Sequence, residues 1–179
     1  MGRIEYRNDV TRATEEMEGS DGRANVSSRS DGRAYYNSRD EGQCYTLVFD
    51  HATAGNGEYS AYLQNTSTDK TLVVSSVGVN ATNIAQFKLW YVTGTAANGT
   101  SATPTNLNKD SNNDASANAI VDGGGTAISG LTEDGIIDHA GVVANGHEEL
   151  RLSDRVRLGQ NDAIALEMDT ETSTPSTFC

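Results

Sequence analysis

Residues able to do chemistry are few in this chain, and their spacing suits little of it. His51, His139 and His147 stand too far apart to make a local metal motif. His147-Glu148-Glu149 puts an imidazole beside two carboxylates, but neighbours on a strand point to opposite faces, so a solvent-facing strand end is expected. Asp110, Asn112 and Asp114 match the first three ligand places of a calcium loop. Ala115 then stands where such a loop needs glycine, and Val121 where it needs a bidentate glutamate, which excludes an EF-hand and leaves these three as a weak calcium candidate. There is no Gly-x-Ser-x-Gly elbow for a serine nucleophile. Gly123-Gly124-Gly125 lacks the Lys-Ser/Thr that follows the glycines of a phosphate loop. Cys44 and Cys179 allow at most one disulfide, and a free thiol is expected at Cys179. The expectation is a non-enzymatic protein with no catalytic residues, no cofactor and no metal.

The strongest pattern is a repeat. Residues 20–29 read SDGRANVSSR and residues 30–39 read SDGRAYYNSR, with a decayed third copy, DEGQCYTLVF, starting at Asp40. Glycines recur at Gly22, Gly32 and Gly42. A segment so poor in large apolar residues cannot bury a core of its own, so residues 1–43 are expected to form an extended arm that becomes ordered on another surface. Each Asp-Gly-Arg is a turn with opposite charges on either side of glycine. Arg23, Arg29, Arg33 and Arg39, with Tyr35 and Tyr36, are the expected interaction residues of that arm. Ahead of them, Asp9 is placed to cap a short helix through Glu18.

Charge separates arm from body. Of the net charge of −12, residues 1–43 carry −2 (seven Arg against nine Asp and Glu) and the body from Cys44 carries −10 (six basic, sixteen acidic). An acidic body repels phosphates, which argues against nucleic acid and anionic membranes as partners. It also offers an adjacent copy's arginine-rich arm something to pair with. MGRIEYRNDV has no apolar signal-like core, and synthesis and use in the cytoplasm are expected. Asn25, Asn65, Asn80 and Asn98 begin Asn-x-Ser/Thr triplets, read here as chance in a chain rich in those residues.

The body reads as strands and turns. Strands are expected at Tyr45–Phe49, Tyr59–Gln64, Thr71–Val79 and Phe87–Val92, the last with Phe87, Leu89 and Tyr91 on one face and Trp90 and Val92 on the other. Residues 93–118 contain one large apolar residue, Leu107, and are expected as a long loop. Short strands follow at Ala127–Leu131 and Gly135–Ile137. Leu150–Leu152, Arg155–Leu158 and Ile164–Met168 alternate, predicting a sheet with one wet face. About eight such segments predict an all-β protein: a β-sandwich, jelly-roll or immunoglobulin-like, over residues 44–169, with a polar tail at 170–179.

Phe87–Val92, the following Thr93-Gly94-Thr95-Ala96-Ala97-Asn98-Gly99-Thr100, Pro104–Asn108 and Leu158–Leu166 resemble tailed-bacteriophage virion proteins, specifically small capsid decoration or cement proteins. The resemblance covers most of residues 44–169 and is one of texture. It implies a β-sandwich with an N-terminal arm that binds the major capsid protein on the capsid surface as a homotrimer, bridging capsomers. The alternative is a receptor- or carbohydrate-binding β-sandwich of a head fibre or tail, whose mark would be clustered exposed aromatics.

Overall fold

The computed structural model describes residues 5–7, 14–16, 38, 41–50, 57–122 and 127–169. The chain divides into two compact units, Met1–Tyr36 and Asn37–Cys179, ahead of the change in composition at Cys44. In the first unit β1 (Glu5–Arg7) pairs antiparallel with β2 (Thr14–Glu16). Thr14–Glu16 is strand where the helix from Asp9 through Glu18 was expected, and the rest of that segment lies outside the described residues. A helix that short is marginal in water, and the antiparallel ladder satisfies backbone groups across the two strands.

The second unit contains β3 (Tyr45–Thr46), β4 (Glu58–Asn65), β5 (Leu72–Ala81), β6 (Ala85–Ala97), β7 (Thr100–Ala102) and β8 (Thr105–Asn106). It continues with β9 (Ala117–Val121), β10 (Ser129–Val142), β11 (Gly146–Leu158) and β12 (Ala163–Asp169). Six strands form one antiparallel sheet in the order β10-β6-β12-β4-β9-β7, while β11 with β5 and β3 with β8 form two-stranded ribbons. The expected all-β fold is the one the chain adopts.

The principal core lies between the large sheet and the β5–β11 ribbon. Phe87 and Leu89 of β6, Ile164 and Leu166 of β12 and Val142 of β10 meet Val79 of β5 and Leu150, Leu152, Val156 and Leu158 of β11. Each such side chain contributes about 1.5–3 kcal/mol by leaving water. Two neighbouring turns join the layers. Ala81 is paired with Gly146 and Ala85 with Val142, and the Asn145 amide donates to the Thr82 carbonyl at 3.2 Å.

The opposite face of the large sheet is also covered, by Tyr62, Val92, Ile128, Ala163 and Ala165 with Tyr59, Trp90 and Leu131 against them. Its closure begins at the Asn98-Gly99 turn, a bend where both residues have positive φ (64° and 75°) and the chain leaves β6. That turn joins β6 to β7, yet these strands lie far apart in the sheet order. The sheet must therefore roll over until β7 reaches β9, and a bridge between Tyr59 and Ile128 ties the other end. Rolling buries β12 on both sides, from Ala163 through Glu167. The wet outer face expected for Ile164–Met168 is absent for this reason. The split of Phe87, Leu89 and Tyr91 from Trp90 and Val92 is observed as expected.

Three further segments differ from expectation. Residues 93–118 carry the end of β6, all of β7 and β8 and the start of β9. The strand at Tyr45–Phe49 is only Tyr45–Thr46, with Val48 85% exposed beyond it. Of the separate strands expected at Ala127–Leu131 and Gly135–Ile137, Ser129–Leu131 and all of the second belong to one, β10, whose register against β6 shifts at three places. Bulges at these places carry the strand through Thr132–Asp134, the stretch expected as a turn.

Candidate functional site

The polar loop between β8 and β9 is organised around one asparagine. Asn106 Nδ2 donates to the carbonyls of Gly42 and Asn113, each at 2.8 Å, while its Oδ1 accepts the Asn108 amide at 2.9 Å. Ser111 Oγ donates to the Gly42 carbonyl at 3.3 Å, and Asn113 Nδ2 to the Glu41 carbonyl at 3.0 Å. The Leu107 amide reaches the Cys44 carbonyl at 2.8 Å, alongside the β3–β8 pairing of Tyr45 with Asn106 and Thr46 with Thr105. Tyr45 closes the far side by donating its hydroxyl to the Asp114 carbonyl at 3.2 Å. Its phenol pKa is raised, first by burial and then by the nearby negative fields of Asp114 and Cys44.

These contacts make a clasp on residues 41–46, the stretch where the repeat segment joins the body. Gly42 is the third glycine of the ten-residue period. It has φ of 56°, and a Cβ there would fall 2.3 Å from Ser111 Oγ. Both the backbone conformation and the close approach demand glycine. The sequence offered a signal for this site in the period that ends at Gly42, but the partners Asn106, Ser111 and Asn113 lay unmarked in a polar stretch.

The calcium candidate belongs to the same loop. Asp110, Asn112 and Asp114 have exposed side chains, the Asp110 amide donates to Asn108 Oδ1 at 3.1 Å, and the Asp114 carbonyl is engaged by Tyr45. Among the described residues no group of three or more His, Cys, Asp and Glu converges to hold a metal. His139 and His147 are exposed, His147 with Nδ1 2.9 Å from Asn80 Oδ1, and Cys44 is a half-buried free thiol. Arg23, Arg29, Arg33, Arg39, Tyr35 and Tyr36 lie outside the described residues, as do His51 and Cys179. Asn65, which begins an Asn-x-Ser triplet, is buried, and its Nδ2 donates to the Lys70 and Leu158 carbonyls.

A second cluster sits on the rolled face. Trp90 Nε1 donates to Glu167 Oε2, Tyr59 donates to Glu133 Oε1 at 3.0 Å, and Lys88 Nζ lies 3.1 Å from Asp169 Oδ2 and 3.7 Å from Glu167 Oε1. Burial is the largest cause pushing the Tyr59 pKa up to about 12, followed by its bond to Glu133 and the charges of Glu133 and Glu167. At Lys88 burial disfavours the ammonium, but the bond to Asp169 and the fields of Glu167, Asp169 and Glu133 outweigh it, and the pKa rises. Trp90 and Tyr59 thus have their polar ends tied to the chain's own carboxylates. A separate groove of about 420 Å³, sharing no residue with that cluster, is lined by Tyr91, Asp134, Arg157, Asn161 and Asp162 among others. Asp162 Oδ2 already accepts the Gly159 amide at 2.8 Å.

No family model matches this chain, and no curated protein or solved structure does so either.

Proposed function

We propose that this chain is a non-enzymatic structural protein of a tailed-phage virion, binding the major capsid protein on the outer capsid surface and bridging capsomers through its arm and β-body. The observation that supports this most directly is the clasp on residues 41–46. An arm that bridges subunits must pass load to a rigid body. Here the chain leaving the repeats is held by side-chain bonds from Asn106, Ser111 and Asn113 at a glycine that tolerates no side chain. A cement protein needs contact area rather than a reaction centre. Extended segments gain main-chain bonds with several subunits for little chain length. Modest contacts repeated over a shell add up through multivalency. The polar ends of Tyr59 and Trp90, bound to the chain's own carboxylates, count against a carbohydrate-binding fibre module, which needs aromatic groups offered to its ligand.

The test is quantitative mass spectrometry of gradient-purified particles, with the copy number of this chain expressed relative to the major shell protein. Near-stoichiometric abundance is expected. A few copies per particle would move the chain to a fibre or tail, and absence from the particle would end the proposal.

A further inference from the structure

Asparagine is a thermolabile residue, and glycine after it makes it more so, because no Cβ hinders the backbone nitrogen that attacks the side chain. A bond forms between that nitrogen and the asparagine Cγ, and the Cγ–Nδ2 bond breaks. Nδ2 leaves as ammonia, carrying the proton that the backbone nitrogen gave up. Water then opens the five-membered imide at either carbonyl. The products are aspartate and isoaspartate, the latter with the main chain running through the former side chain. The sequence holds three such pairs, Asn56-Gly57, Asn98-Gly99 and Asn145-Gly146.

The glycine amide separates them. The Gly57 amide donates to the Met168 carbonyl at 3.2 Å and the Gly146 amide to the Val143 carbonyl at 2.9 Å, so each nitrogen must give up a bond before it attacks. Among the described residues the Gly99 amide has no carbonyl partner. Backbone conformation does not distinguish Asn98 from Asn145, with φ of 64° and 56°, and both are exposed to water. The fold also holds the labile pair in place. Gly99 has φ of 75°, and a Cβ there would fall 2.7 Å from Ile120 Cγ2 and 3.0 Å from the Val121 carbonyl oxygen, so only glycine fits. At position 98 positive φ favours asparagine, aspartate or glycine. Asparagine is the one of these that brings a donor, and Asn98 Nδ2 donates to Ser129 Oγ, at the start of β10, at 2.9 Å.

We propose that Asn98 is a site of spontaneous deamidation, and that isoaspartate formed there opens the turn between β6 and β7. The reaction removes Nδ2 itself, so the bond to Ser129 leaves with the ammonia. Isoaspartate then adds one backbone atom at a turn where Gly99 already stands against Ile120 and Val121 without room for a methyl group. β7 is three residues long and, among the described residues, pairs with β9 alone, so little ladder holds a displaced turn. The proposal does not rest on the capsid reading.

The full chain, aged at mildly alkaline pH and sampled by peptide mapping with mass spectrometry and an isoaspartate assay, tests it. Asn98 should convert roughly three- to tenfold faster than Asn145, the worth of one hydrogen bond expressed as a rate. Amide exchange over Thr100–Ala102 should be faster in the aged chain than in the fresh one. Asn98→Gly keeps the positive φ and has no carboxamide, so its exchange should not change with age. An Asn98 that stays intact, an Asn145 that converts as fast, or exchange at β7 that is the same in fresh and aged chain overturns the proposal. Should Asn98→Gly fail to fold, the ranking of the two sites in the unaltered chain decides.

Discussion

The two faces of the large sheet are closed by different physics. Under the β5–β11 ribbon the contacts are aliphatic, with Leu89, Leu150, Leu158 and Ile164 among the buried residues. On the rolled face aromatic rings take over, and the polar ends of Tyr59 and Trp90 are bound by Glu133 and Glu167. The first face depends on filled volume, and damage there should scale with the atoms removed. The second depends on each polar group keeping a partner, so a small change that orphans one donor should cost more than its size suggests.

The largest expected effect is on the aliphatic face. Leu158 is 0% exposed, and Leu158→Ala should lower unfolding free energy by about 2–5 kcal/mol in urea melts. A loss below about 1 kcal/mol would mean that face is not volume-limited. Next comes Glu167, 8% exposed. Glu167→Ala removes the acceptor of the Trp90 indole and one partner of Lys88, and about 1–3 kcal/mol is expected. Glu167→Gln still accepts from Trp90 and should cost less. Equal losses would assign the face to the Lys88 pairing instead of the indole bond.

A pH series sharpens the contrast with a smaller effect. Tyr59 keeps its proton to about pH 12 in the folded chain, against 10.0 as its ordinary value. The folded state therefore binds more protons than the unfolded one above pH 10, so the Tyr59 contribution is complete below about 10 and is lost as pH climbs through about 12. Unfolding midpoints should fall more steeply with pH in the unaltered chain than in Tyr59→Phe. Identical slopes would remove Tyr59 from the account of the rolled face. Smallest of all is Glu149→Gln on the outside of the ribbon. Arg151 donates to Glu149 at 2.7 Å and lowers its pKa, but the pair is solvated, and thermal midpoints of variant and parent should coincide.

These contrasts track what the sequence made legible. Alternation of large residues revealed the faces of β6, because Phe87 and Leu89 announce burial by size. Ala163 and Ala165 carry no such signal, and Glu167 reads as exposed, so the double burial of β12 was hidden until the roll of the sheet supplied its cause. The polar stretch Thr132-Glu133-Asp134 read as a turn between two strands, whereas a bulge carries β10 through it. The clasp escaped for another reason. Its strands are two residues long, and its strength lies in Asn and Ser side chains bonding backbone carbonyls more than sixty positions away. Local pattern carries no record of such pairings, although Gly42 stood in plain view as the end of the period.

The place of β12 sets a timetable for folding. The last described strand lies in the middle of the large sheet, between β6 and β4, and forms a ladder with each. Until residue 169 has left the ribosome, β6 and β4 have a gap between them that no earlier strand fills. The nascent chain can form the β6–β10, β5–β11 and β4–β9 ladders beforehand, but the two central ladders of β12 form late and together. Topologies of this kind, ruled by distant contacts, are expected to fold slowly and to need protection from aggregation while they wait.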